Sequence, residues 1–271
     1  MIVPLRNETD YIRPGCLVAI NQSKTQEAGS SNLKSETTDP KPVSIIIPVF
    51  QEESQIFATL HGIKNTLQAE DIELIVADGG SSDSTVDLAR SVDGVRVVVC
   101  QQANRGHQMN AGAKLATGEV LLFLHADVKL PADGLSFIRQ ALADDAVVGG
   151  CFQISFPSAA GTSLRLVAWG INLRTRWFKT ATGDQAIFVR RQIFNELGGY
   201  QTFPLMEDIA LFNALKRRGK LVVLSGQVEI SPRRWLRYGV WRTVLLMYLL
   251  RFGYWLGIHP ATLKRFFLDV R

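Results

Sequence analysis

The sequence predicts an α/β protein with a mixed, mainly parallel sheet flanked by helices, and two observations carry that prediction. The first is a set of short, β-branched apolar runs: VSIIIPV (43–49), IELIVA (72–77), VRVVV (95–99) and VLLFL (120–124). Such runs read as strands buried on both faces. The second is the helical patterning between them, over Glu53 to Leu67, Ser84 to Ser91 and Met109 to Ala116. Strands that alternate with helices make βαβ units, whose strands run parallel. Ligands of such sheets gather beyond the carboxyl ends of the strands, so the segments that follow each strand are where chemistry is sought.

From the amino terminus, residues 19–42 are polar and nearly free of large apolar side chains. That composition cannot offset the entropy of ordering, so residues 1–42 are expected to form a polar, disordered leader. A domain over 43–230 and a basic, aromatic helical segment over 231–271 are expected to follow. With 46% hydrophobic residues in 271, the chain can bury a sizeable core. The most apolar stretch, Val240 to Ile258, is broken by Arg242 and Arg251, so no membrane-spanning helix is expected. No apolar run near the start suggests a signal peptide. The three cysteines, Cys16, Cys100 and Cys151, lack metal-ligand spacing and any Cys-x-x-Cys pair. A reducing, cytoplasmic setting without disulfides is therefore expected. The net charge of +5 is too small to argue for nucleic acid. Its distribution is uneven, with eight Lys/Arg against the single acid Asp269 from Arg233 onward.

At the end of the second run, DGGSSDST places Asp78 before two glycines that permit a tight turn. Asp78 can accept a hydrogen bond from a nucleotide base or ribose, or it can simply build the turn. Asp83, just before STVDLAR, is a plausible helix cap. NRGHQMNAGAKLATGE (104–119) spaces Gly106, Gly112 and Gly118 for close backbone approach, without a P-loop or a Gly-x-Gly-x-x-Gly fingerprint. The fourth run ends in His125-Ala126-Asp127, two polar side chains two residues apart, which share a side of an extended backbone. They suit a divalent cation, the carboxylate for Mg2+ or Mn2+ and the imidazole for Mn2+, or they cap a strand. PLMEDIALFNALKRRGK (204–220) patterns as a helix with Glu207 and Asp208 in its first turn. Those acids either complement the helix dipole or form a pair in which burial and a like neighbour hold one pKa up for general-base work.

In this order, SIIIPVFQEE, VADGGSSDST, NRGHQMNAGAKLATGEVLLFLHAD and MED resemble the family 2 glycosyltransferases of the Rossmann-like GT-A fold, over about residues 43–220. The resemblance implies an inverting transfer from a nucleotide-diphospho-sugar, uridine-based, with Mn2+ or Mg2+ on its diphosphate. Asp78 would contact the base, and Pro48, Val49 and Glu52 would line the nucleotide pocket. Gly79, Arg105, Gly106, Asn110 and Ala126 complete the donor side it implies. Asp127 would ligate the metal, with His125 as a second candidate. Asp208 would deprotonate the acceptor, helped by Glu207. The sequence departs from the family pattern at Gly79, where relatives carry a second aspartate, and at His125, which replaces the first Asp of Asp-x-Asp. SPRRW (231–235) is similar to the Gln-x-x-Arg-Trp element of processive members, but Ser231 replaces the Gln, which implies transfer of a single sugar. Arg233, Arg234 and Trp235 remain candidates for the diphosphate or the acceptor, since guanidinium suits phosphate and indole stacks on sugars.

A narrower resemblance rests on GGCFQISF, GDQAIFVRRQIF, PLMED and RRWLRYGVWRTVL, which look like a bacterial subgroup of short family 2 enzymes. It implies a hydroxyl or carboxyl acceptor of lipid or carotenoid type. Asp184 and Gln185 are then acceptor-side candidates, or a structural turn. The aromatic, Arg-interleaved segment after residue 231 reads as an interfacial helix pair on the inner face of the cell membrane. It reads equally as packing on the catalytic domain or as a homodimer contact. Two other classes are compatible with parts of the pattern. One is a non-catalytic nucleotide-sugar-binding module on the same fold. The other is a nucleotidyltransferase, which would want a basic glycine-rich loop where VFQEES stands.

Overall fold

The computed structural model describes residues 16–19, 42–67 and 72–267. The first four runs form strands where the sequence places them: β2 (Val43–Val49), β3 (Ile72–Asp78), β4 (Val95–Cys100) and β5 (Val120–Phe123). Four residues of the expected leader form a short strand β1 (Cys16–Ala19), antiparallel to β4. The rest of that leader lies outside the described residues. Beyond β5 come β6 (Val128–Lys129), β7 (Val147–Ser155), β8 (Ile187–Arg190) and β9 (Lys220–Ile230), giving one sheet in the order β1-β4-β3-β2-β5-β8-β7-β9-β6.

The sheet is mixed. β2 runs parallel to β3 and β5, β3 to β4, and β7 to β9. The shorter β5–β8, β7–β8, β6–β9 and β1–β4 ladders are antiparallel. Strand alternation divides the core between the two faces. Ile45, Ile47, Leu74, Val76 and Leu122 pack with Phe152 and Phe188 on one side. Ile46, Ile75, Leu121 and Phe123 pack with Ile187 and Val189 on the other. On that second face Phe123 meets Tyr200 edge-on at 4.8 Å and Phe194 at 5.1 Å, contacts worth about 0.5–1.5 kcal/mol each beyond burial.

Helices α1 (Ile56–Leu67), α2 (Thr85–Arg90) and α3 (Arg105–Leu115) join the parallel strands. α3 begins four residues before the apolar pattern, because Asn104 caps it by accepting from His107 N at 2.9 Å. It lies close on the sheet, since a β-carbon on Gly112 would stand 2.5 Å from Ile46 Cγ2. α4 (Gly134–Ala141), α5 (Thr162–Phe178), α6 (Arg191–Glu196) and α7 (Glu207–Leu215) complete the first 230 residues.

The final segment forms α8 (Arg233–Tyr238), α9 (Val240–Trp255) and α10 (Pro260–Lys264). Leu250 and Leu263 pack on Leu205, Met206 and Ile209 beside the start of α7, so this segment packs against the sheet-bearing part of the chain. The other side of α9 is not the polar face of an ordinary amphipathic helix. It exposes Trp241, Leu245, Tyr248, Leu249, Phe252 and Trp255, at spacings that keep them together on the helix. Leu166, Trp169, Trp177 and Phe178 of α5 are exposed as well. Among the described residues no helix is long and apolar enough to cross a membrane.

Candidate active site

Beyond the strand ends the two acids of the MED run stand at the first turn of α7. The chain reaches them through Met206, whose φ of 68° is left-handed and unusual for a side chain that large. Glu207 is buried. Burial, and next the charge of Asp208, push its carboxyl up to about 7, although Arg105 and His125 pull the other way. Asp208 is half-buried, and its Oδ2 accepts from Gly183 N at 2.8 Å.

The loop that supplies Gly183 also ties down the end of β5. Asp184 Oδ1 lies 3.1 Å from His125 Nδ1, and a β-carbon on Gly183 would sit 2.4 Å from His125 Nε2. The imidazole is therefore flanked by the Gly183-Asp184 turn. Burial works to raise the Asp184 carboxyl, but the hydrogen bond and charge of His125, with Arg234 and Arg105, hold it below the ordinary carboxylate range. Arg105, exposed at the first turn of α3, faces the same acids. Desolvation lowers its pKa, yet Glu207, Asp184, Asp208 and Asp127 together raise it above the usual guanidinium value.

These groups open onto a cavity of about 410 Å3. Arg105, His125, Asp184, Glu207 and Asp208 line it, together with Val167, Trp169 and Ile171 of α5 and Trp241, Val244 and Met247 of α9. Arg234 and Trp235 join the lining from α8. Arg234 lies over the Phe267 ring at 5.0 Å, and Trp235 meets Phe156 edge-on at 5.9 Å. Arg233 is exposed and stands outside this wall.

Several sequence candidates prove to be builders of the site. Asp78 is fully buried, and its carboxylate accepts from Gly80 N, Ser81 N and the Ser81 hydroxyl. It holds its own turn, one of the two roles the sequence allowed. Gly79 donates its N–H to Val49 O at 2.9 Å, and a β-carbon there would lie 2.9 Å from Ala103 Cα. An aspartate has no room at this position, which explains the departure from the family pattern. Glu52 N donates to the Thr85 hydroxyl at 2.8 Å, Pro48 pairs with Ala77 in the β2–β3 ladder, and Ala126 O accepts from Thr59 at 2.9 Å. Asn110 spends both ends of its amide on the backbone of Tyr200, each at 2.8 Å. A β-carbon on Gly106 would meet Gln201 O at 2.4 Å. Gln185 is fully buried, donating to Phe152 O and accepting from Thr175 and Thr182 N, so it does not face an acceptor.

The His125 and Asp127 pair departs from the extended geometry that would aim both one way. Residues 125–128 turn instead, with Val128 N donating to His125 O at 3.1 Å, and the imidazole goes to Asp184. Asp127 stays exposed, with no hydrogen-bond or ion-pair partner among the described residues. Among these residues no three His, Cys, Asp or Glu side chains cluster as a metal cage. A lone free carboxylate instead fits the Mg2+ or Mn2+ mode in which one carboxylate, water and substrate phosphates share the ion.

Sequence reasoning missed Gln108, which is buried in α3 and donates to Val49 O at 2.7 Å and Ala77 O at 2.8 Å, clamping the ends of β2 and β3. A glutamine flanked by helix-forming residues carries no signal of that role. The whole α5–α9 wall was also missed, because contacts between segments some 70 residues apart leave no local pattern.

An open mixed sheet with acids gathered beyond its strand ends has the GT-A, Rossmann-like fold. The same fold is seen in the mannosyltransferase PcManGT of Pyrobaculum calidifontis, solved with GDP-Man and Mn2+. It superposes with a TM-score of 0.61 at 20% identity, over 79% of this chain and 63% of that one. The chain belongs to glycosyl transferase family 2, whose sequence profile matches residues 44–201. It is 36% identical over 169 residues to a PGL/p-HBAD biosynthesis glycosyltransferase of Mycobacterium bovis, covering 58% of this chain and 62% of that protein. It is 29% identical over 194 residues to the probable glycosyltransferase YdaM of Bacillus subtilis, covering 62% and 45%. The chain thus spans less than two thirds of the length of these relatives.

Proposed function

We propose that this chain is an inverting glycosyltransferase that moves one sugar from a nucleotide-diphospho-sugar to a hydroxyl or carboxyl group of an apolar, lipid-like acceptor. The observation that carries this reading is the cavity. It brings the buried Glu207, whose carboxyl is pushed up to about 7, and its neighbour Asp208 together with apolar side chains of α5 and α9, in a volume that takes a small amphiphile. Family membership and the likeness to a GDP-Man-bound mannosyltransferase support the donor class.

In this reading Asp208 takes the proton of an acceptor hydroxyl, which attacks the anomeric carbon opposite the departing diphosphate. Below about pH 7 Glu207 keeps a proton, and the hydrogen bond from Gly183 N holds the Asp208 carboxyl in place. A carboxylate acceptor needs no such base. Asp127 is the residue that would hold Mn2+ or Mg2+ together with the diphosphate, and the ion when bound offsets charge on the leaving group. Arg105 and Arg234 stand where they can bind the diphosphate from the protein side, while the Asp78 turn and the β2 end shape the nucleotide pocket. The exposed faces of α5 and α9, with Arg165 and Arg242 beside them, suit the headgroup region of an anionic bilayer. We place the enzyme there, on the cytoplasmic side.

The test is release of nucleoside diphosphate from UDP-glucose, UDP-galactose and GDP-mannose by the whole chain, with and without Mn2+ and with dodecanol or dodecanoate as acceptor. Turnover of one donor that responds to acceptor supports the reading. Tight donor binding with no turnover in any combination replaces it with the non-catalytic module.

A further inference from the structure

Two cations in the cavity have no task in the mechanism above. Arg174 comes from α5 and Arg251 from α9, and both line the cavity. Among the described residues neither makes an ion pair. Arg251 donates to the Thr180 hydroxyl at 2.9 Å, and the Nε of Arg174 is buried without any partner. Burial lowers the pKa of both, and the charge of Arg251 lowers Arg174 further, to about 10. Asp208 draws on both electrostatically, but its oxygens are engaged by Gly183 N and Ile209 N.

A desolvated cation with no counter-charge is costly, and two facing each other cost more. Such an arrangement is stable in use when a ligand brings the missing anion. Arg105 and Arg234 line the same cavity and are already given to the donor diphosphate, while Glu52, Asp78, Gly79 and Asp127 lie outside its wall, so Arg174 and Arg251 are left without a donor partner. The same lining holds Val167, Val244 and Met247, while Asp208 and Tyr248 are the groups whose charges reach both arginines.

We propose that Arg174 and Arg251 form an anion subsite in the acceptor half of the cavity, which takes the carboxylate or phosphate group of an amphiphile whose apolar part lies between α5 and α9. This rests on reading that half as the acceptor site. Guanidinium forks match both anions in two-point hydrogen bonding, and walls of Trp, Val and Met suit an alkyl or polyene body.

Trp169, Trp235 and Trp241 line the cavity, so binding can be followed by intrinsic fluorescence of the whole chain without any donor. The probes are dodecanoate, dodecyl phosphate and dodecanol, each below its micelle-forming concentration. The expected result is that at least one anion binds about tenfold or more tightly than the alcohol. The tighter of the two anions identifies the carboxylate or the phosphate as the natural group. Arg174→Gln and Arg251→Gln should each erode that preference and together abolish it, with dodecanol binding unchanged, and Arg174→Lys should keep part of it. The apo protein carrying Arg174→Gln should melt no lower than the parent, because an uncompensated charge has been removed. Equal binding of anion and alcohol would overturn the proposal, as would a preference that survives the double substitution. So would variants that weaken UDP binding and leave the amphiphiles alone, since the pair would then belong to the donor. Because no donor is present, a chain that turns over no nucleotide sugar refutes the transfer reading and leaves this result standing.

Discussion

Glu207 makes the sharpest prediction. Its carboxyl titrates near 7 in the folded protein against an ordinary value of 4.5. The folded state therefore holds a proton that the unfolded state has already released between those two pH values. Stability is complete below about pH 4.5 and falls as the pH rises through 7, after which the loss is constant. At 1.36 kcal/mol per pH unit of displacement, the loss amounts to about 3 kcal/mol, a large part of the net stability of a domain. Glu207→Gln keeps the shape of the side chain and removes the titration. Urea unfolding of parent and variant at pH 5 and pH 8 isolates the Glu207–Asp208 pair, because the titrating groups away from it are common to both and cancel in the difference. The variant should gain about 2–3 kcal/mol on the parent between pH 5 and pH 8. A difference that stays flat with pH, or that favours the parent more at pH 8, would refute the claim that burial and Asp208 hold this carboxyl up.

Asp208→Asn should lower transfer to a hydroxyl acceptor by about 10^2–10^4-fold while UDP binding, measured by calorimetry, is preserved. Gly79→Asp should destabilise the fold by about 1–3 kcal/mol, since the new side chain starts 2.9 Å from the Ala103 backbone, and thermal melts will show it. Asn110→Ala should cost about 1–3 kcal/mol by leaving Tyr200 N and O without their partners. It should also raise protease sensitivity around Gly198 and Gly199. Leu249→Glu with Trp255→Glu should abolish co-sedimentation with phosphatidylglycerol vesicles without changing the melting temperature, because both side chains are exposed.

The parallel half of the sheet was legible because its strands are buried on both faces and so appear as unbroken apolar runs. β7 and β9 were harder to see. β7 carries Gly149 and Gly150 at its centre, where β-carbons would strike Phe188 O and Val222 O, and glycine reads locally as a turn. In β9, Ser225, Gln227 and Glu229 break the apolar pattern. Motif order located the acids at 78, 127, 184 and 207–208, but it could not say what each touches. Asp78 and Asn110 are used up on backbone groups, and such assignments depend on side-chain direction in three dimensions. The same holds for His125, whose partner Asp184 lies 59 residues away. The aromatic and arginine content of α9 is plain in the sequence. Its double use, one face packed and one exposed, depends on a neighbour that no local pattern reveals.

The proposed donor side is assembled almost wholly before residue 130, on strands whose hydrogen bonds span the sheet. The opposite wall comes from α5 and α9, and α9 pairs with no strand. Substitutions along that helix can remodel what the cavity admits while leaving every ladder of the sheet intact. If that wall takes the acceptor as proposed, acceptor preference is free to drift in chains that keep the same sheet, and the carboxyl-terminal forty residues are where such divergence should be read first.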